Sequence, residues 1–76
     1  MAQVNFIVKI NVCSEGDSQN IYSAPFRTLK EAQVKFDRIL SGAENYGQSL
    51  YPADKFGVML SISRANGDRL RTMQIN

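Results

Sequence analysis

From Val4 to Val12 the apolar residues fall on every second position, Val4, Phe6, Val8, Ile10 and Val12, which predicts a strand with one buried face. The intervening Asn5, Ile7, Lys9, Asn11 and Cys13 are mostly polar, as expected where one side of an antiparallel sheet meets water. Ser14–Asn20 is rich in turn formers and predicts a loose hairpin connection into a second strand over about Ile21–Arg27. Pro25 has no N–H to give to a ladder, which puts that strand at an edge or ends its pairing there.

Thr28, Leu29, Lys30 and Glu31 read as a capping box, so a helix begins at Leu29. Leu29, Ala32, Phe36, Ile39, Leu40 and Ala43 recur at spacings of three and four and form one stripe that must face a core. Gly42, after Ser41, supplies a stop, because glycine tolerates the left-handed conformation at a helix end. The opposite face carries Lys30, Glu31, Val34, Lys35, Asp37 and Arg38, with Glu31 and Lys35 oriented for an i,i+4 pair. Val34 is a lone apolar residue among these charges.

Gly42–Lys55 is a long connection of the kind that carries function or mobility. Phe56, Val58, Leu60 and Ile62 then alternate with Gly57, Met59, Ser61 and Ser63 to predict a third strand. Asn66-Gly67 predicts a two-residue type I′ turn into a fourth strand, Arg69–Ile75. That turn sets Ile62 opposite Arg71, Leu60 opposite Met73 and Val58 opposite Ile75, whereas a three-residue loop turns Thr72 and Gln74 inward. The expectation is a single α+β domain over residues 1–76, a two-layer ββαββ arrangement with a four-stranded antiparallel sheet and one helix packed on one face.

Size changes the picture. A chain of 76 residues buries only about 60% of its unfolded surface, and domains this small are commonly helped by disulfides, metals or oligomerisation. Cys13 is the only cysteine and histidine is absent, which rules out an internal disulfide and a Cys/His metal site. A partner or a second copy is the help that remains.

Nine Lys/Arg against seven Asp/Glu give a net charge of +2, short of a dedicated nucleic-acid binder. Apolar runs such as Phe6–Val8 fall far short of the roughly 20 residues a membrane span needs, and no leader-like segment opens the chain. With one unpaired cysteine, this predicts a cytoplasmic protein with no membrane partner.

Candidate chemistry is sparse. Without histidine, serine and cysteine lack their usual base. Cys13 ends a strand with no adjacent cation to lower its pKa. Glu15 and Asp17 are too few for a Ca²⁺ loop, and Gly42 and Gly47 precede a strand, where a phosphate loop would follow one. No enzyme activity, cofactor or metal is expected.

Binding candidates are clearer. Tyr46, Leu50 and Tyr51 place large side chains on the long loop, either as partner anchors or folded back as a cap on the core. Arg64, Arg69 and Arg71 bracket the second hairpin and Lys30, Lys35 and Arg38 lie on the helix, in both cases interspersed with acids at Glu31, Asp37 and Asp68. Ile7, Met59 and Leu70 fall by parity on the sheet face away from the helix, where a joint apolar patch would serve self-association.

The expected function is stoichiometric protein–protein binding through Tyr46, Leu50, Tyr51, Arg64, Arg69 and Arg71, with a homo-oligomer as a further expectation. Small, cysteine-poor chains of this style are common among phage and mobile-element proteins, so inhibition of a host defence or regulatory complex follows by analogy. The alternative is a nucleic-acid or nucleotide-binding module, with the arginines on phosphates and a tyrosine stacked on a base.

Overall fold

A computed structural model describes residues 4–76. The elements are β1 (Phe6–Ser14), β2 (Asp17–Phe26), α1 (Leu29–Leu40), a 3₁₀ turn (Gln48–Leu50), β3 (Gly57–Arg64) and β4 (Arg69–Gln74). The strands form one antiparallel sheet in the order β2-β1-β3-β4. The two hairpins thus meet along β1 and β3, and α1 covers one face, which is the expected two-layer α+β fold.

Alternation places the core where the sequence put it. Val8, Ile10 and Val12 on β1 and Val58, Leu60 and Ile62 on β3 are buried against Ala32, Phe36 and Ile39 of α1. Phe6, Tyr22, Phe26 and Ile75 pack around that cluster. The central strands carry the core because each is covered laterally by an edge strand and on one face by the helix.

The first hairpin is tighter than its polar composition implies. Ser14 pairs directly with Asp17, leaving a two-residue turn at Glu15 and Gly16 with φ of 29° and 86°, the positive values a type I′ turn requires. The exposed residues Asp17–Asn20 therefore belong to β2; cross-strand pairing overrides their low strand propensity. Between Ile10 and Asn11 the register shifts, Ile10 facing Tyr22 and Asn11 facing Asn20, so that Ile21 is a bulged residue.

The second hairpin reaches the expected core register by a different route. The Arg64 N–H donates to the Asp68 carbonyl at 2.7 Å and the Gly67 N–H to the Arg64 carbonyl at 2.9 Å, so the loop is Ala65-Asn66-Gly67, with Gly67 at φ 100°. A three-residue loop alone would invert the strand. Arg69 instead faces Ser63 and Arg71 faces Ile62, so Leu70 is an extra residue that restores parity, and Leu60 still opposes Met73.

The helix stops at Ser41-Gly42, as expected, so Ala43 of the apolar stripe falls outside it. α1 ends at Leu40, Ser41 is its cap, and Ala43 lies in the loop beyond Gly42 at φ 85°. At the other end Thr28 Oγ1 accepts from the Glu31 N–H at 3.2 Å and donates to the Glu31 carboxylate at 3.0 Å. Glu31 is thereby held at the cap, and Lys35 pairs with Glu44 of the loop instead.

Candidate functional site

The loop from α1 to β3 is held by contacts among its own residues and by side chains of α1 and β2. Lys35 Nζ donates to Glu44 Oε1 at 2.6 Å and to the Tyr46 hydroxyl at 2.9 Å, while Arg38 Nε donates to Glu44 Oε2 at 2.6 Å. The Tyr46 hydroxyl donates to the same Glu44 carboxylate. These donors hold the Glu44 carboxyl well below its ordinary value, at about 2, with Lys35 the largest contributor. Reciprocally, Glu44 first and Tyr46 second hold the Lys35 ammonium above its ordinary range.

Tyr46 also stacks on Tyr22 of β2, the ring centroids 3.8 Å apart. Burial, followed by the adjacent Tyr46 hydroxyl, raises the Tyr22 phenol above its ordinary value. Farther along, Asn45 donates to Ser49 Oγ at 2.7 Å, Gln48 donates to the Glu44 carbonyl at 3.1 Å, and Gln48 Oε1 accepts from the Tyr46 N–H. Tyr51 meets Phe56 edge to face, centroids 5.2 Å apart. Both loop tyrosines are thus half-buried caps on one end of the core.

Leu50 is different. It is 78% exposed, against 54% for Val34, the next most exposed large apolar residue described. It closes the 3₁₀ turn that begins after Gly47, whose φ of 100° suits glycine. Beside it opens a cavity of about 390 Å³ with Ile39, Val58 and Ile75 among its apolar lining and Tyr51 and Pro52 at the loop side.

The arginines expected to support this loop lie elsewhere. Arg64 faces Phe6 across the β1–β3 ladder, its guanidinium 5.8 Å from the Phe6 ring centre, and Arg69 faces Ser63. That is the end of the sheet where β2 leads into α1, whereas the loop enters at Gly57, opposite Cys13. Arg71 lies between the ends on the helix side, 4.2 Å from the Phe36 ring centre and 3.4 Å from Asp37 Oδ1. It acts as a lid on the core, which explains a cation on a buried register.

The face away from the helix is uncovered. Its rows read Ser23–Lys9–Ser61–Thr72 and Asn20–Asn11–Met59–Gln74, with Ile7, Ser63 and Arg69 in the row beside them. Ile7 and Met59 are separated by the Lys9–Ser61 row, and Leu70 sits in the β4 bulge with no partner on β3. The three apolar residues expected to form one patch therefore lie apart. No Asp or Glu of the four strands stands on this face, and neither Lys9 nor Arg69 has an ion-pair partner among the described residues.

Cys13 is a half-buried free thiol near Ser18, 3.7 Å from its hydroxyl. Among the described residues no group of three His, Cys, Asp or Glu is arranged for a metal ion, and no helix is long and apolar enough to cross a membrane. The chain matches no protein-family model, no curated protein and no solved structure.

Tyr22 and Glu44, which fix the loop together with Lys35, are absent from the sequence-based candidates, and Lys35, expected to pair with Glu31, pairs with Glu44. Glu44 is part of no periodic pattern, and its role emerges only when the chain folds back over α1. The uncovered polar face, by contrast, was open to parity alone, since Ser61, Ser63 and Lys9 alternate with core residues.

Proposed function

We propose that this protein works by stoichiometric binding to another protein, without chemistry of its own, and that Leu50 is its anchor. The observation that carries the reading is the contrast within one loop. Glu44, Tyr46, Gln48 and Tyr51 are engaged in holding it, while Leu50 stands 78% exposed at its turn.

Burying an exposed leucine in a partner stabilises a complex by about 1.5–3 kcal/mol. A loop already held in shape adds little ordering cost to that gain. The neighbouring cavity, with Asn45, Gln48, Pro52 and Ile75 among its lining, can take a side chain from the same partner, so knob and hole lie side by side. Occupying a partner's surface in this way suffices for an inhibitor or an assembly adaptor.

The sheet edges are poorer candidates. β2 carries Pro25 and the bulge at Ile21, and β4 is a six-residue strand with the bulge at Leu70. Proline, bulges and short edge strands all oppose the addition of another strand.

A photo-crosslinking side chain placed at Leu50 tests the reading in the cells that carry the protein. The expected result is one dominant adduct of defined mass, absent when the same group replaces exposed Leu29 at the other end of the molecule. Equal, diffuse labelling from both positions would refute it.

A further inference from the structure

On the face opposite the helix, we propose a site for a phosphate group, centred on Arg69, Thr72 and Ser61. It rests on different residues from the Leu50 surface and stands or falls separately.

The geometry begins with Ser61. It lies on the central strand β3 of an uncovered face yet is only 6% exposed, because Lys9 and Thr72 flank it directly across the ladders. Beside it is a cavity of about 160 Å³, lined by Asn11, Ser18, Ser61, Arg69 and Thr72 together with the sulfur side chains of Cys13 and Met59. A phosphate group is small enough to enter a space of that size.

The second observation is an unsatisfied group. Thr72 Oγ1 is shut away from solvent and has no hydrogen-bond partner among the described residues, an arrangement that costs stability and calls for an explanation. An oxyanion seated over Ser61 accepts from its hydroxyl, and a turn of Thr72 about χ1 brings the buried, unpartnered Oγ1 out to the same ion. Arg69 supplies the charge-assisted donor that makes such a contact strong.

The donor set selects the class of ligand. Beside the sulfur side chains of Cys13 and Met59, the cavity is lined by a guanidinium, hydroxyls and an amide, with no carboxylate to repel an anion. Lys9, directly across from Ser61, adds a second cation without an ion-pair partner among the described residues. The phenylalanines and tyrosines lie elsewhere, Phe6, Tyr22, Phe26 and Tyr46 all packing toward the helix-side core. The face therefore has no ring on which a base could stack, and the site should read the phosphate and ignore the base.

The test is a two-dimensional NMR titration of the whole chain with inorganic phosphate, adenosine monophosphate and uridine monophosphate in separate arms. Saturable shifts of the Ser61, Arg69 and Thr72 amides are expected, with the two mononucleotides equal within about twofold. Equal affinity for inorganic phosphate would assign free phosphate, and tighter mononucleotide binding would assign a phosphate monoester. Arg69→Ala should weaken binding roughly tenfold or more, as expected for losing a charge-assisted contact, and Ser61→Ala should weaken it while the spectrum stays that of the folded protein. Absence of saturable shifts, or shifts that Arg69→Ala leaves unchanged, would overturn the proposal.

Discussion

The rings of Tyr22 and Tyr46 stack 3.8 Å apart and so tie edge strand β2 to the loop that follows α1. One aromatic pair thereby joins the two parts of the chain whose positions the helix alone does not fix. It also decides the role of Tyr46, which, with Tyr51 against Phe56, holds the loop down and leaves Leu50 as its presented residue.

Replacing Tyr46 with alanine removes the stack and the hydroxyl that Lys35 and Glu44 share. A loss of about 2–4 kcal/mol is expected, in the range of large-to-small changes at packed aromatic sites. Tyr46→Phe keeps the ring and should lose about 0.5–1.5 kcal/mol. Leu50→Ala should change stability by less than about 0.5 kcal/mol. Urea unfolding of the three variants gives the order directly.

The Glu44 cluster carries a pH signature. Its carboxyl sits at about 2 in the fold against 4.5 unperturbed, so the unfolded chain binds the proton more readily. The stabilisation from Glu44 is full above 4.5 and is lost as pH falls toward about 2. Glu44→Gln should therefore be less stable than the parent at pH 7, and the gap should close by pH 2 to 3. Thermal melts at both pH values measure it, and a gap that persists in acid would show that the carboxylate charge is not what holds the loop.

Arg71 lies over Phe36, and a partly covered cation on a ring contributes roughly 0.5–1 kcal/mol. Arg71→Ala should lower stability by about that amount plus the packing of its stem, while leaving partner binding intact. Parallel denaturation and binding assays separate these effects.

In the second hairpin the loop residue Gly67 and the bulged Leu70 offset each other. Gly67→Ala, at φ 100°, should cost about 1 kcal/mol. Deleting Leu70 should leave the sheet intact, because Arg69 already faces Ser63 and Arg71 already faces Ile62. Retained NOEs between Leu60 and Met73 would establish this, and their loss would show that the bulge sets the register.

The core was legible because Val8, Ile10, Val12, Val58, Leu60 and Ile62 alternate cleanly and Ala32, Phe36 and Ile39 keep helical spacing. The polar strand Asp17–Asn20 was not, since its order comes from pairing with β1. The two insertions in the second hairpin cancel, so parity gave the right faces from the wrong loop length. For the candidate site, loop position pointed to Tyr46, Leu50 and Tyr51 alike. Only the contacts of Tyr46 with Tyr22, Lys35 and Glu44, and of Tyr51 with Phe56, separate the two tyrosines from the leucine.

Leu50→Asp, compared with the parent for both thermal stability and partner capture from the cells that carry the protein, tests the central claim most directly. The expected result is an unchanged melting temperature, with a stoichiometric protein partner that survives nuclease and high salt in the parent and in Arg69→Ala but is lost from Leu50→Asp. Equal capture of that partner by Leu50→Asp, or recovery only of salt-sensitive nucleic acid, would contradict it.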